Sequence, residues 1–252
     1  MHGLMKKSQD PLNAIARPIL IAHRGASATA PESTHAAIKA ALKTKTKMVE
    51  LDIQMTRDGR LVVFHDRRLE RTSNGKGFLS RYLYEDLRKL DAGSWFSSRF
   101  SGEKILTPEE VLRLIPHRTL VNFELKRTRR RPLLLRRIRR FIQTHKTHRK
   151  QLLISSFDAK LLQSLAQGGV KLALICRWQA DQSLQKAIRL GCVAWHPFHE
   201  LVTRKRIIRA HEAGLRVHAW TIDAAKQARQ LLRLGADGIF TNNPQRLQAY
   251  FP

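Results

Sequence analysis

The chain has 252 residues, 42% of them hydrophobic, which suits a soluble globular protein with one large core or two small ones. No apolar run reaches the roughly 18 residues that a membrane helix needs, and residues 1–17 lack the apolar core of a signal peptide, so we expect a cytoplasmic protein. The formal net charge of +27 attracts polyanions such as nucleic acid, anionic lipid surfaces or phosphate substrates, without identifying one of them.

The chain begins with a strand and a helix. Residues 19–22 are an apolar run of buried-strand length, and the run ends at His23 and Arg24. A helical pattern over residues 36–42 follows, and Pro31 is placed for its first turn.

A hairpin is predicted next. Residues 48–53 alternate apolar and acidic side chains, which is the period of a strand. Residues 57–60 form a tight turn before the apolar residues 61–64. Because a parallel return needs a crossover of a dozen or more residues, we expect the second segment to be the returning arm of a hairpin.

The following stretch, from residue 67 to about residue 106, differs from the rest of the chain. It is polar, contains four glycines and clusters three aromatic side chains at Trp95, Phe96 and Phe100. We interpret it as a small insertion in the surrounding domain. Thr107 and Pro108 then start a helix, because they supply a cap and a proline for the first turn.

The second half of the chain alternates strands and helices. Strands are predicted at residues 120–125, 152–155, 172–176, 192–195, 217–221 and 238–241. Helices are predicted at residues 134–142, from 158, around 184–190, at 203–213, at 224–234 and from 244. Eight strands besides the hairpin arm predict an α/β fold, a (β/α)₈ TIM barrel that forms one catalytic domain over residues 1–252. A doubly wound open sheet is the alternative, but no glycine-rich loop follows the first strand. Cys176 and Cys192, in apolar strand-like runs, are expected to be buried and reduced.

Glu50 and Asp52 lie two residues apart on the predicted second strand. Their side chains therefore point to the same face, roughly 6–7 Å apart along the strand. Two like charges at that distance repel each other unless a proton or a cation lies between them, and Mg²⁺ or Ca²⁺ prefers such oxygen ligands. A strand with one solvated face also explains the alternation.

Other polar side chains at strand ends favour a functional site. A (β/α)₈ barrel collects its chemistry at the carboxyl ends of its strands. Nine side chains fall there or at the end of the hairpin arm: His23, Arg24, Glu50, Asp52, His65, Glu124, Lys126, Ser155 and Trp220. Strand ends do not need so many polar and charged side chains for stability, so their convergence predicts a functional site.

The types of these residues suit metal-assisted cleavage of a phosphodiester. Three carboxylates can hold one divalent ion, Mg²⁺ or Ca²⁺, and leave room for substrate oxygens. The arginine and the lysine suit a bound phosphate. The two histidines can serve as acid and base near neutral pH.

Short motifs occur in a fixed order along the chain: AHRG at residues 22–25, PEST at 31–34, ELD at 50–52, FHD at 64–66, LERTSNGKG at 69–77, LDAGSWF at 90–96, FELK at 123–126 and AWTID at 219–223. This series resembles the glycerophosphodiester phosphodiesterases, above all their short cytoplasmic bacterial members. The resemblance runs from Ile21 to Asn242, nearly the whole chain.

The resemblance implies a barrel with a small insertion between its second and third strands. It also implies hydrolysis of glycerophosphodiesters to sn-glycerol 3-phosphate and an alcohol. It implies a divalent ion on Glu50, Asp52 and Glu124. It implies His23 and His65 as the acid and the base, and Arg24 and Lys126 as the residues that bind the phosphate. Which histidine is the acid, and whether water or the substrate's own glycerol 2-hydroxyl is the nucleophile, are left open.

The sequence departs from the family pattern at two places. Ser33 stands where the family usually has Asn, and Asn242 where it usually has Asp. We interpret both as turn or supporting positions that affect fine tuning. Four aromatic side chains are candidates for contacting the leaving alcohol, with ordinary packing favoured for Phe96: Trp95, Phe96, Phe157 and Trp220.

Two other classes of function fit parts of the sequence. A related enzyme that cleaves lysophospholipids at a membrane surface, releasing lysophosphatidic acid, would use the same residues. A non-catalytic basic binding module should have lost metal or acid–base residues, and none is missing. Residues 126–150 contain one aromatic residue, Phe141, whereas a nucleic-acid binder interleaves aromatic and basic residues, so we expect no specific nucleic acid.

Residues 126–150 carry the densest positive charge, with 12 Lys or Arg and no acidic residue. Leu134, Ile138 and Phe141 mark the apolar face of a helix there. Four arginines on the opposite side are expected to face solvent: Arg136, Arg137, Arg139 and Arg140. An anionic membrane surface is a candidate partner for this helix, and a merely solvated basic surface is the alternative. The pattern leaves the oligomeric state open.

Overall fold

The structure is a computed structural model that describes residues 17–252, so the expectation for residues 1–17 lies outside the described residues except at Arg17. Within residues 17–252, nine strands, nine α-helices and six short 3₁₀ helices are present. The strands are β1 (Ile19–His23), β2 (Met48–Met55), β3 (Leu61–Val63), β4 (Leu120–Leu125), β5 (Leu152–Ser156), β6 (Lys171–Cys176), β7 (Ala194–Pro197), β8 (Arg216–Ala219) and β9 (Gly238–Thr241). The helices are α1 (His35–Leu42), α2 (Tyr84–Lys89), α3 (Pro108–Leu114), α4 (Arg131–Thr144), α5 (Ala159–Gln163), α6 (Ala180–Arg189), α7 (Arg204–Glu212), α8 (Ala225–Leu234) and α9 (Pro244–Leu247).

Eight of the strands close into a parallel barrel. They follow the order β1-β9-β8-β7-β6-β5-β4-β2, and β2 pairs with β1 to complete the ring. β3 lies outside the ring as the antiparallel partner of β2, with Val63 opposite Ile53 and Leu61 opposite Met55. The predicted barrel is therefore confirmed together with its hairpin arm. The doubly wound open sheet is wrong, because a closed ring has no free edge.

The inside of the barrel changes from apolar to polar along the strands. Side chains two residues apart share a face of a strand, so Met48 is followed by Glu50 and Leu120 by Asn122. The buried apolar cluster near the amino ends of the strands contains Ile19, Ile21, Met48, Leu120, Leu153, Ala173, Ala194 and Phe240. Buried polar side chains follow toward the carboxyl ends at Glu50, Asn122, Ser155 and His196. The barrel therefore opens to a polar site at its carboxyl end.

Helix caps explain where two of the helices begin. The Thr34 hydroxyl accepts a hydrogen bond from the Ala37 amide, so α1 starts at His35, and the prediction of Pro31 in its first turn is wrong. α3 starts at Pro108 as predicted. The Thr107 hydroxyl there accepts from the amide of Glu110, and the Glu110 carboxylate accepts from the amide of Thr107.

Residues 64–107 form the insertion between β3 and α3, which lies between the second and third strands of the barrel. The insertion contributes most of a separate buried cluster that contains Val62, Phe64, Leu69, Leu79, Leu87, Ala92 and Ile105. Gly93 is required for its packing, because a Cβ atom there would lie 1.9 Å from the carbonyl oxygen of Phe100. The cluster fixes the start of the insertion, where Asp66 and Arg71 reach the polar end of the barrel.

The basic helix α4 has the amphipathic packing that its sequence predicts, with one exception. Leu134, Ile138 and Phe141 are buried, and the side chains of three arginines are exposed: Arg136, Arg139 and Arg140. The expectation that Arg137 faces solvent is wrong, since Arg137 is half-buried beside the turn at Gly59. Among the helices of residues 17–252, none is long and apolar enough to cross a membrane.

Both cysteines are buried and unpaired, as expected. The Cys176 thiol donates a hydrogen bond to the carbonyl oxygen of Trp178, at 2.9 Å. Burial raises the pKa of Cys192 to about 12, so its thiol stays protonated at neutral pH. These thiols belong to the core of the barrel.

Candidate active site

Three acidic side chains meet at the polar end of the barrel. Glu50 and Asp52 extend from β2, and the register places Glu124 of β4 opposite Asp52. One oxygen atom from each carboxylate lies within 4.8 Å of the other two. Glu50 is 3% exposed and Asp52 is 1% exposed, so little water shields their charges from one another.

The pKa values show that the cluster does not hold three negative charges by itself. Burial raises the pKa of Glu50 well above its usual range, and repulsion by Asp52 and Glu124 adds to the shift. Burial and the charge of Asp52 raise the pKa of Glu124 to about 7. Burial alone would also raise the pKa of Asp52, but Lys126 and Arg24 outweigh it and lower that pKa. A positive charge placed among the three would keep all of them ionised.

The donor atoms of the cluster fit a divalent ion. Glu50 Oε1 is buried and accepts no hydrogen bond from any group within residues 17–252, and Asp52 Oδ2 is buried with the Arg24 guanidinium as its ion-pair partner. An unsatisfied buried carboxylate oxygen is costly, and coordination would satisfy it. Hard ions such as Mg²⁺ and Ca²⁺ take oxygen ligands of this kind.

Arg24 and Lys126 flank the carboxylates with positive charge. The Lys126 ammonium lies 2.7 Å from Asp52 Oδ1 and 2.5 Å from Glu124 Oε1. Arg24 Nε lies 3.2 Å from Asp52 Oδ2, and its Nη1 donates to Glu32 at 3.1 Å. Burial opposes the charge of Lys126, but Asp52 and Glu124 raise its pKa, so it stays protonated. Both side chains keep hydrogen-bond donors beside the cluster.

His23 is held by Asn242, the residue that follows β9. Its Nδ1 lies 2.7 Å from Oδ1 of Asn242, and Asn242 Nδ2 donates to Asp223 at 2.7 Å. The contact with Asp223 orients the amide, so His23 Nδ1 is the donor and its Nε2 carries a free lone pair. That Nε2 lies 3.8 Å from Glu50 Oε2. Burial and the charge of Arg24 lower the pKa of His23 to about 4, which keeps the ring neutral at pH 7.

His65 is held by a carboxylate. Its Nδ1 lies 2.5 Å from Asp66 Oδ1, and Arg71 Nε donates to the other oxygen of Asp66 at 2.5 Å. The bond from Arg71 is the main reason that the pKa of Asp66 falls to about 2, so Asp66 is ionised and His65 Nδ1 is the donor. Burial lowers the pKa of His65, and the charge of Asp52 opposes that shift. The two histidines thus have unlike partners, a neutral amide and an ionised carboxylate.

The site opens into two cavities that meet at four shared residues: His65, Glu124, Lys126 and Phe157. The deep cavity, about 350 Å³, reaches into the barrel toward His23 and Trp220. The second cavity, about 770 Å³, is a groove that runs outward past Asp66. A phosphate at the junction would therefore have one substituent in each cavity.

The structure brings together all eight residues assigned from the sequence. Seven of them line the deep cavity: His23, Arg24, Glu50, His65, Glu124, Lys126 and Trp220. Asp52 lies behind them and contacts Arg24 and Lys126. Among the aromatic candidates, Phe157 and Trp220 line the site, with ring centroids 5.8 Å apart. Trp95 and Phe96 instead pair edge to face in the insertion, as ordinary packing predicts.

Sequence reasoning missed six residues that line the deep cavity, Asn122, Ile175, Arg177, His196, Thr221 and Phe240, and two of them have unpaired polar atoms. Both polar atoms of the Asn122 side chain, and Nδ1 of His196, are buried without a hydrogen-bond partner within residues 17–252. Asn122 precedes Glu124 by two residues on β4, so the period of the strand could have revealed it. His196 faces His218, with 3.2 Å between their ring nitrogens. No pattern in the sequence indicates that His196 on β7 lies beside His218 on β8.

The two departures from the family pattern have specific structural positions. Ser33 has a φ of 62°, a conformation that Asn adopts more readily than Ser, and its amide donates to the carbonyl oxygen of Arg24. Asn242 orients His23 directly. Ser33 therefore supports Arg24 and Asn242 supports His23, which agrees with their interpretation as supporting positions.

Comparison with known proteins agrees with this geometry. A sequence model of the glycerophosphoryl diester phosphodiesterase family matches residues 23–246. The chain is 33% identical over 235 residues to a glycerophosphodiester phosphodiesterase of Caldanaerobacter subterraneus subsp. tengcongensis, covering 92% of this chain and 96% of that protein. It is 33% identical over 249 residues to a glycerophosphodiester phosphodiesterase of Bacillus subtilis, covering 90% and 84%.

A solved structure shares both the fold and part of the sequence. It is a phosphodiesterase of Oleispira antarctica in complex with the product sn-glycerol 3-phosphate. The TM-score is 0.85 at 30% identity, and the match covers 92% of this chain and 96% of that chain.

Proposed function

The chain belongs to the glycerophosphoryl diester phosphodiesterase family, and we propose that it hydrolyses glycerophosphodiesters to sn-glycerol 3-phosphate and an alcohol with the help of a divalent ion. The observation that carries the proposal is the buried cluster of Glu50, Asp52 and Glu124 at a cavity that is also lined by Arg24, Lys126, His23 and His65. The relative that binds sn-glycerol 3-phosphate supports the same product here.

Glu50, Asp52 and Glu124 would hold the ion, Mg²⁺ or Ca²⁺. When bound, such an ion acts as a Lewis acid toward a phosphoryl oxygen and stabilises charge that develops on it. With all three carboxylates ionised, Arg24 and Lys126 leave the cluster one net negative charge. A divalent ion changes that to one net positive charge, which matches the single negative charge of a phosphodiester.

Arg24 and Lys126 orient the phosphate. Both lie beside the carboxylates and line the deep cavity, so their remaining donors can reach the phosphate oxygens. Asp52 contacts both cations and fixes their positions. Such fixed donors stabilise charge in the transition state without reorganising.

We assign His65 as the acid and His23 as the base. Burial lowers the pKa of both rings, but the ionised Asp66 beside His65 and the charge of Asp52 oppose that shift, so of the two histidines His65 is the better placed to carry the proton that the leaving alkoxide needs. His23 faces a neutral amide and stays unprotonated, so its Nε2 can accept a proton. The attacking hydroxyl is that of water or of the substrate's own glycerol.

The two cavities agree with this division. His23 lines only the deep cavity, whereas His65 lines both the deep cavity and the groove. The glycerol unit would therefore lie in the deep cavity, where Asn122 and His196 have unpaired polar atoms for its hydroxyl groups. The leaving alcohol would lie in the groove beside His65.

The assay that tests the proposed function measures release of glycerol 3-phosphate in the presence of Mg²⁺ or Ca²⁺. We expect release from glycerophosphoethanolamine, glycerophosphoserine and glycerophosphoglycerol, because the groove is open to different alcohols. The Glu50→Gln variant, purified in the same way, controls for contaminating enzymes. Release of lysophosphatidic acid from lysophospholipids alone would favour the lysophospholipid enzyme, and no hydrolysis of either class would leave a binding module.

We further propose that α4 recruits the protein to anionic membranes, because three exposed arginines lie on one helix.

Binding to vesicles that contain acidic lipid should exceed binding to neutral vesicles and should fall with salt, since exposed charges are screened over about 8 Å at 0.15 M. Arg136→Gln/Arg140→Gln should weaken binding, measured by co-sedimentation. Lys226→Gln/Arg233→Gln on α8 removes the same charge from another helix as the control. Equal binding of the wild type to neutral and acidic vesicles would leave only a solvated surface.

A further inference from the structure

The groove beside the catalytic cluster is lined with more positive charge than catalysis requires. It begins at His65 and Lys126 and runs outward past β5, between the loops that follow β4 and β5. Five further cationic side chains line it: Arg67, Arg127, Arg131, Lys160 and Lys186. They come from the insertion and from the three segments that follow β4, β5 and β6, so the fold collects them from distant parts of the chain.

Most of this charge is not neutralised by acidic neighbours. The acidic residues of the groove already have partners, since Asp158 pairs with Arg131 at 2.6 Å, Asp66 pairs with Arg71 and Glu124 pairs with Lys126. Four exposed cations have no acidic partner within residues 17–252: Arg67, Arg127, Lys160 and Lys186. The groove therefore presents four unpaired positive charges next to the site of reaction.

The position of the groove indicates what it would bind. His65 lines it and His23 does not, so under the proposed division of roles the groove receives the leaving alcohol. Resting on that proposed function, we propose that the groove is a subsite for leaving alcohols that carry a further phosphate group. The preferred substrate is then a glycerophosphodiester with at least two phosphorus centres, one cleaved at the metal cluster and one bound in the groove.

A phosphate monoester is the group that gains most from such a surface. Its second pKa is about 6, so it carries close to two negative charges at pH 7. Arginine and lysine both bind phosphate oxygens through charge-assisted hydrogen bonds. Pairs of exposed charges of this kind typically change affinity by roughly 1.5- to 5-fold each, so four of them together predict a preference of about fivefold or more.

A matched pair of substrates tests the subsite in the wild-type protein. Glycerophosphoglycerol and the same diester phosphorylated on the terminal hydroxyl of its leaving glycerol differ by that one phosphate. We expect kcat/KM to be higher for the phosphorylated diester by about fivefold or more at low salt. The preference should shrink toward one as salt is raised, because exposed charges are screened over about 8 Å at 0.15 M. A short glycerol phosphate polymer as a third substrate shows whether an internal phosphodiester also occupies the groove.

Charge-neutralising variants identify the residues. Lys160→Gln/Lys186→Gln should lower the ratio of the two kcat/KM values by about three- to tenfold, and Arg67→Gln/Arg127→Gln should do so independently. Lys226→Gln/Arg233→Gln removes the same net charge from α8, which follows β8 across the barrel from β4, and its ratio should equal that of the wild type. If circular dichroism shows that one groove variant does not fold, the ratio of kcat/KM values in the other variant tests the subsite.

The outcomes separate this inference from the proposed function. Hydrolysis of neither substrate would refute the proposed function itself. Hydrolysis of both at equal kcat/KM, or an equal fall of the ratio in the groove variants and in the α8 control, would overturn the subsite and leave general attraction by a basic protein. A ratio lowered by the groove variants alone supports the subsite.

Discussion

Removal of divalent ions with EDTA is expected to lower the rate of glycerophosphodiester hydrolysis by about 10³-fold or more, and added Mg²⁺ or Ca²⁺ should restore it. The size follows because Lewis-acid stabilisation contributes several kcal/mol and each 1.4 kcal/mol changes a rate tenfold. The physical reason is the buried cluster, in which Glu50 Oε1 has no hydrogen-bond donor from residues 17–252 and the neighbouring carboxylates repel one another. Full activity in a rigorously metal-free sample would contradict this prediction.

The Glu50→Gln variant separates loss of metal from loss of fold. Titration calorimetry should show weaker binding of Mg²⁺ or Ca²⁺ than in the wild type, because one ligand charge is gone. Without metal the variant should unfold at the same or a higher temperature, since the substitution removes a carboxyl group whose ionisation is opposed by burial and by Asp52 and Glu124. Glu85→Gln, on the exposed side of α2, is the matched control and should leave metal binding unchanged.

The affinity for the ion should also depend on pH near neutrality. The pKa of Glu124 is about 7 in the metal-free site, because of burial and the charge of Asp52, so this carboxyl is partly protonated at pH 7. A metal ion binds the ionised form, so its binding releases the proton. Affinity should therefore fall as the pH drops through 7, by up to about tenfold per unit for each proton released. Affinity that does not change between pH 6 and pH 8 would contradict the assigned ligand.

His23→Ala and His65→Ala are each expected to lower kcat/KM by about 10²- to 10⁴-fold, the usual contribution of a general acid or base. The losses should not add in the double variant, because both side chains act in one step or in coupled steps. His117→Ala, at an exposed position before β4, is the control for removal of an imidazole and should keep wild-type activity.

The leaving alcohol distinguishes the two roles. An alcohol of low pKa, such as p-nitrophenol, leaves without being protonated, so a p-nitrophenyl diester of glycerol phosphate should restore much of the rate of His65→Ala. It should not rescue His23→Ala, because the nucleophile still needs a base. Rescue of His23→Ala alone would reverse the assignment. Near-wild-type rates of both variants on glycerophosphoethanolamine would refute the acid–base chemistry altogether.

The barrel and the residues gathered at one end of it follow from local patterns in the sequence. Apolar runs separated by helical periods predict the eight strands, and the short gap before Leu61 requires a hairpin, because a parallel return needs a longer crossover. Once the strands are parallel and closed, the side chains at their carboxyl ends must meet. Glu50, Asp52 and Glu124 could therefore be assigned together from their places along the chain.

Contacts between distant segments were decided only by the tertiary structure. His23 and Asn242 are 219 residues apart, so no local pattern shows that an amide orients this imidazole, whereas the carboxylate that orients His65 belongs to the next residue, Asp66. The same holds for the burial of Arg137 beside Gly59, which depends on how α4 packs against the hairpin turn. Strand periodicity determines which face a side chain occupies, but its partner depends on which elements the closed barrel brings within hydrogen-bond distance. The separation into a deep cavity and a basic groove is set by those same long-range contacts, since its walls come from strands and loops across the whole chain.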